Sequence, residues 1–463
     1  MNCLMTRAIR TRLHCATPSS RRVGSCMVST KSFWLIAYPL VLAGFSTPLL
    51  GVVDTIVIAN TDELTAIGAV AVGAVVFNTL YWLFGFLKIS TSGFTAQALG
   101  KQDATRVQMS LFRPLVIAFV FGTSFLLFLI PIRETAIHLL VTDASMADSV
   151  RTYITTRLYA APFALGTYVL LGWLIGHGSV RTALVIQVGG NLMNIILDVW
   201  FIHVFYDPVA GIAFATSLSE VMTFGLGWLF VQSRITFSAQ ISRDLMNTGA
   251  YITYLTVNRD LFIRTVFLLL MTGSFTALGA KQGVEALSAN AILFQLQYVI
   301  AYWFSGIGQA STVLIGRAIG QKSNETYRLT VQIGSRFILW STVIITVLLS
   351  VAQDGIIHLF TEDIALRSTI ETYYMWIILY PFIGGLAMLY EGVFAGIGDA
   401  RPVRNSLIYA FIVFTIVAFL LVPSIGNHGV WLAFLCFSLT RSLSLAMNER
   451  RRRNCLFSPS HLS

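Results

Sequence analysis

Thr47-Pro-Leu-Leu-Gly-Val-Val-Asp-Thr-Ile-Val-Ile58 is an apolar run with one carboxylate, Asp54, set in its middle. From Phe33 to Ile58 the chain carries no other charge. The segment therefore reaches the roughly 20 apolar residues that cross a bilayer core, and Asp54 falls deep inside it. Charge is expensive there. An ionisable group in a transmembrane helix either marks an ion or proton path through a bundle interior or serves as hydrogen-bonding glue between helices.

The remaining composition agrees. With 463 residues, 56% hydrophobic, 11% charged and a mean hydropathy of +0.74, the chain has too few charges to cover a soluble globule of its size. It reads as an all-α polytopic membrane protein in the lipid bilayer. The net charge of +10 lies between apolar runs and not on one amphipathic face, so no nucleic-acid partner is expected. Cys3, Cys15, Cys26, Cys436 and Cys455 form no CxxC pair and have no histidine at ligand spacing, which argues against a disulfide framework or a zinc site.

Apolar spans are expected near 33–58, 64–87, 110–132, 152–176, 182–204, 209–231, 252–279, 284–307, 330–352, 367–396, 404–423 and 428–447, twelve in all. Loop charge orients them. Counted from a cytoplasmic N-terminus, the inside segments take most of the Lys and Arg, Arg441 and Arg450 to Arg453 included. The outside segments take few, among them Arg151 and Arg157, which places both termini in the cytoplasm. Residues 1–31 hold basic, Ser and Thr residues and no acid, and read either as a transit peptide or as upstream sequence before a start at Met27. The expected organisation is a leader at 1–31, a six-helix lobe at 32–231, a cytoplasmic linker at 232–251, a second six-helix lobe at 252–447, and a basic tail at 448–463 whose Arg450 to Arg453 face anionic lipid.

The second half repeats the first. At a constant offset of 220, Gly100 matches Gly320, Asp143 matches Asp363, Thr152-Tyr153 matches Thr372-Tyr373, and Gly172, Gly176, Gly178 and Arg181 match Gly392, Gly396, Gly398 and Arg401. An offset of six spans preserves orientation, giving two pseudo-symmetric bundles about an axis along the membrane normal with a cavity between them, which is transporter architecture. The Gly172/Gly176 and Gly392/Gly396 pairs are read as helix-packing positions. Pro39, Pro48, Pro162 and Pro381 lie inside apolar spans, where each can kink its helix statically or serve as a bending point.

A second acid lies on a polar stripe. In Gln187-Val-Gly-Gly-Asn191-Leu-Met-Asn194-Ile-Ile-Leu-Asp198 the polar positions 187, 191, 194 and 198 recur on one helical face. With Asp54, and with Thr216 on the next span, they offer carboxylate, amide and hydroxyl oxygens suited to a hard cation, or a carboxylate pair sharing a proton. Glu220, one turn beyond Thr216, and Glu391 on the tenth span are further buried acids, each open to a structural or a transport role.

These stretches carry a resemblance. Gly51-Val-Val-Asp54-Thr55, then Val72-Gly73-Ala-Val-Val-Phe77-Asn78-Thr-Leu-Tyr81-Trp82-Leu-Phe84-Gly85-Phe86-Leu and Thr95-Ala-Gln97-Ala-Leu-Gly100, resemble the start of a multidrug and toxic compound extrusion (MATE) transporter of the DinF-like branch. Asn191 to Asp198, Gly211-Ile-Ala-Phe-Ala-Thr216, Asn258-Arg259-Asp260-Leu-Phe-Ile-Arg264-Thr265 and Glu391-Gly392-Val-Phe-Ala-Gly396 continue the likeness in order, over essentially all of 33–447. The resemblance implies two six-helix lobes forming a V and export driven by a proton or sodium gradient. It further implies that Asp54, Asn194 and Asp198 form the cation site (H+ or Na+), with Thr216 contributing. The eighth span, Trp303-Phe-Ser305-Gly306-Ile-Gly-Gln309-Ala-Ser311-Thr312, lacks the acids many such sequences carry there, and Glu391 stands where an aspartate is usual.

The reaction expected is antiport of lipophilic, cationic small molecules by a monomer in the cell inner membrane, with no organic cofactor and no catalysis. No nucleophile motif or nucleotide-binding glycine loop argues otherwise. The alternative is a flippase for a lipid-linked precursor, which would line its cavity with cations; the spans offer few beyond Lys88 and Arg264.

Overall fold

The computed structural model describes residues 29–59, 64–141, 144–205, 207–235 and 244–457, the side chains of 46–59 and Leu64 excepted. The leader up to residue 28, Asp143 of the repeat, residues 236–243 of the linker and the last six residues lie outside the described residues.

The described chain is helical. Its first half comprises α1 (Thr30–Ala59), α2 (Leu64–Phe84), α3 (Phe86–Gly100), α4 (Ala104–Leu127), α5 (Leu129–Leu140), α6 (Ala147–Leu158), α7 (Ala161–His177), α8 (Val180–Val204) and α9 (Pro208–Gln232). The second half comprises α10 (Thr248–Ala280), α11 (Val284–Gly320), α12 (Asn324–Val351), α13 (Gln353–Phe360), α14 (Ile364–Ile397), α15 (Arg401–Ile425) and α16 (Asn427–Leu456). Ten spans, α2 with α3 counted as one, are long and apolar enough to cross a bilayer; α6 with α7, bent by 48°, makes an eleventh. With α1, apolar over its described Thr30–Phe45 part, the chain reaches the expected twelve.

The connections are built from short polar signals. Asp103, Asp207, Asn247, Ser323 and Asp363 cap the helices that follow them by accepting backbone N–H groups, such as Ala365 N–H at 2.8 Å. Gly178 and Gly398 end α7 and α14 at φ +92° and +78°. Gln102 and Lys322 adopt φ of 57° and 53°, uncommon for residues with a Cβ. Both pairs stand 220 residues apart, so the turns repeat along with the helices.

Pro162 lies inside the bent span formed by α6 and α7, in the first turn of α7 after a break at Tyr159 and Ala160, where a missing N–H leaves no helical bond unmade. Its counterpart stretch stays one helix, α14, with Pro381 inside it. Through the basic run Arg450 to Arg453 the helix α16 continues to Leu456, with Arg453 paired to Glu449 at 3.5 Å and Arg452 to Asp399.

Gly172 and Gly176 let α7 settle on the backbone of α3 at Lys88 and Ser92, and Gly392 and Gly396 let α14 settle on α11 at Gly308 and Thr312. These contacts are themselves related by the repeat. Between the halves, α3 crosses α11 where Gly100 and Gly320 meet: a methyl on Gly100 would lie 2.9 Å from the Gly320 Cα. Gln97 Nε2 donates across to the Gly396 carbonyl at 2.8 Å, and its repeat mate Arg317 donates through Nη2 to the His177 carbonyl at 3.3 Å. Here the two halves meet backbone to backbone, and the buried core around Leu87, Ala96, Phe304, Ile307 and Ala310 runs through both of them.

Candidate functional site

Among the described residues, polar clusters lie within the membrane-spanning helices of both halves. In the first, α8 and α9 place Asn194, Asp198 and Thr216 together, with relative exposures of 1%, 0% and 3%. Asn194 Nδ2 donates to Asp198 Oδ1 at 3.4 Å and to Thr216 Oγ1 at 3.3 Å, while the Thr216 hydroxyl donates to the Ile212 carbonyl at 2.9 Å. The bonds from Asn194 are long, and its Oδ1 is buried without a hydrogen-bond partner among the described residues. A carboxylate, an amide oxygen and a hydroxyl converge here, a donor set suited to a hard cation or to a shared proton. Asp54 lies on α1, but its side chain is outside the described residues.

The rest of the stripe is less deeply placed. Gln187 and Asn191 are half-buried. Gln187 accepts from Lys88 Nζ at 3.2 Å and donates to the Ala43 carbonyl at 2.7 Å, so it ties α8 to α3 and α1. Glu220 does not join the Asn194 cluster. It pairs with Arg157 Nη2 at 2.8 Å and accepts from the Tyr81 hydroxyl at 3.1 Å. The Arg157 guanidinium also lies over the Phe77 ring at 4.4 Å and donates to the Tyr153 hydroxyl at 3.2 Å. Arg157 was counted among the outside topological charges; it is 8% exposed and held in the bundle by a carboxylate and aromatic faces, which offset a buried cation.

In the second half, Glu391 of α14 lies between Arg264 of α10 at 2.7 Å and Arg441 of α16 at 2.5 Å. Arg441, read from the sequence as an inside topological charge, is 5% exposed. A cavity of about 70 Å³ opens beside this cluster, lined by Arg264 and Glu391 with Ser305, Gln309 and Thr312 of α11 and apolar side chains that include Leu261 and Met388. Sequence reasoning missed Arg157 and Arg441, although both lie within expected spans. The rule that singled out Asp54, a charge inside an apolar run, applies equally to cations.

The comparisons agree with this architecture. The MatE family model matches residues 39–200 and again 261–421. The chain belongs to the MatE family. DNA damage-inducible protein F of Escherichia coli strain K12 is 33% identical over 431 residues, covering 91% of this chain and 92% of that protein. Human multidrug and toxin extrusion protein 1 is 22% identical, covering 89% of this chain and 72% of that protein. Among solved structures, a MOP superfamily transporter from Pyrococcus furiosus, described as having a binding pocket of reverse polarity that suggests a different function, superposes with a TM-score of 0.82 at 18% identity, covering 92% and 96% of the two chains. This MatE chain is thus a multi-pass membrane transporter of a family of extrusion proteins.

Proposed function

We propose that this MatE protein exports lipophilic small molecules by antiport against H+ or Na+, with the ion held by Asp54, Asn194, Asp198 and Thr216. The observation that carries this reading is the fully buried Asp198 beside Asn194 and Thr216. A carboxylate in that position changes charge or ligation whenever an ion arrives, and so biases whichever conformation exposes it. The lobes at 32–231 and 252–447 move against each other, joined through the 232–251 linker, and the Gly100–Gly320 crossing parts as the cavity turns from one side to the other. A single chain holds both lobes and acts as a monomer, in the cell inner membrane with both termini cytoplasmic. A cationic group on the substrate draws support from the N-terminal carboxylates alone. The flippase reading draws support from the two arginines around Glu391.

The test is efflux of ethidium from proteoliposomes under an imposed pH gradient and then a Na+ gradient. Efflux under one gradient, lost in Asp198→Asn, is expected and identifies the ion. Undiminished efflux in that variant would remove Asp198 from coupling.

A further inference from the structure

The C-terminal centre holds more positive charge than its carboxylate offsets. Arg264, Arg441 and Glu391 are largely buried, with side-chain exposures of 14%, 7% and 13%, and two guanidiniums against one carboxylate leave one positive charge in excess. Uncompensated charge in a low-dielectric bundle is costly, which makes the excess a demand for an anion. The cluster borders the cavity of about 70 Å³, and Ser305, Gln309 and Thr312 add neutral polar groups to the same wall.

We propose that this cavity receives the acidic group of an amphiphilic substrate, a carboxylate, sulfonate or phosphate, which completes the neutralisation of Arg264 and Arg441. The inference names the substrate class of the export reading and rests on it. Size supports a head-group site: pockets that enclose a whole drug-sized ligand run to about 300–1,000 Å³. Guanidinium suits the task, since its planar fork matches an oxyanion's geometry. Glu391 is then a positioning residue: it holds Arg264 at the cavity wall and pairs with Arg441 behind that wall. Leu261 and Met388 line the same cavity and offer apolar contact to the adjoining part of the amphiphile.

The test uses the purified full chain and two probes, a dansyl-labelled undecanoate as lipophilic anion and ethidium as lipophilic cation. The wild type should bind the anion more tightly. Glu391→Gln raises the local excess and should tighten anion binding at least about tenfold, while Arg264→Gln should weaken it by a similar factor. The double variant Arg264→Gln/Glu391→Gln restores a single positive charge and should return binding close to wild type, a recovery that a purely structural cluster would not show. Weakening in both single variants without recovery in the double, or tighter binding of ethidium, would overturn the proposal. Competition by vesicles containing phosphatidylglycerol, and not by phosphatidylcholine alone, assigns the acidic group to a lipid; absence of competition assigns it to soluble amphiphiles. Anion binding without efflux under either gradient would sink the export reading and leave this site standing. Ethidium efflux with no anion binding would sink the site and leave export.

Discussion

The two halves share a fold and differ in where their charges lie. Turns, caps and glycine crossings recur at 220 residues, down to the paired left-handed Gln102 and Lys322. The charges do not. Glu391 corresponds to Leu171, and the stretch Phe411-Ile-Val-Phe-Thr-Ile-Val-Ala-Phe-Leu-Leu421, which corresponds to the region of Asn194 and Asp198, has no ionisable group. Each half holds a buried Arg–Glu pair with the signs exchanged between corresponding spans: Arg157 on the fourth and Glu220 on the sixth, Glu391 on the tenth and Arg441 on the twelfth. The second half then adds Arg264. Backbone geometry constrains both copies equally because both must pack, whereas a buried charge is retained only where a partner or a ligand compensates it.

The sharpest test of this difference is Asp198→Asn. If coupling belongs to the N-terminal half, gradient-driven efflux should fall by two orders of magnitude or to background in proteoliposomes. Glu391→Gln should leave gradient coupling in place while altering substrate affinity. Equal loss in both would mean that coupling is shared.

Next in size is the N-terminal pair. Arg157→Ala leaves Glu220 buried without its cation and should destabilise the protein by about 3–5 kcal/mol, read as a loss of thermal stability in detergent. Replacing both partners, Arg157→Met with Glu220→Leu, should recover most of that loss, and unimpaired efflux in the double variant would mark the pair as structural.

Gly100→Ala tests the repeated backbone. The added methyl collides with the backbone of α11 and should destabilise this crossing by about 1–3 kcal/mol. Spin labels or cysteine cross-links placed across α3 and α11 should report a shift toward separation there. Gly320→Ala should behave alike if the crossing is symmetric.

The smallest effect belongs to Glu134, on α5 outside the spanning segments. Hydrogen bonds from Arg151 and Arg133 hold its carboxyl below the usual carboxylate range. A depressed value means that the pairing stabilises the fold above the ordinary carboxylate pKa and is lost as the pH falls through the folded value. Glu134→Gln should leave efflux unchanged, and its slight loss of thermal stability near neutral pH should vanish in acid, because the group is solvent-exposed and screened.

The sequence by itself determined the solvent, the spans, the repeat and the acids, because each is a local property. Length and apolarity select a bilayer crossing, a constant offset reveals duplication, and a lone carboxylate in Phe33–Ile58 is visible without any partner. It also brought Asn194, Asp198 and Thr216 to attention through helical spacing on adjacent spans, and the tertiary structure places them within hydrogen-bonding reach. Only the tertiary structure decided which charges meet. Arg157 and Glu220 are 63 residues apart in the chain, Arg264 and Glu391 are 127 apart, and Glu391 and Arg441 are 50 apart. Nothing in local pattern or periodicity encodes such separations. Electrostatic pairing in a low-dielectric bundle depends on distance in space, and that distance is set by how glycine-lined helices from distant parts of the chain come to lie against one another.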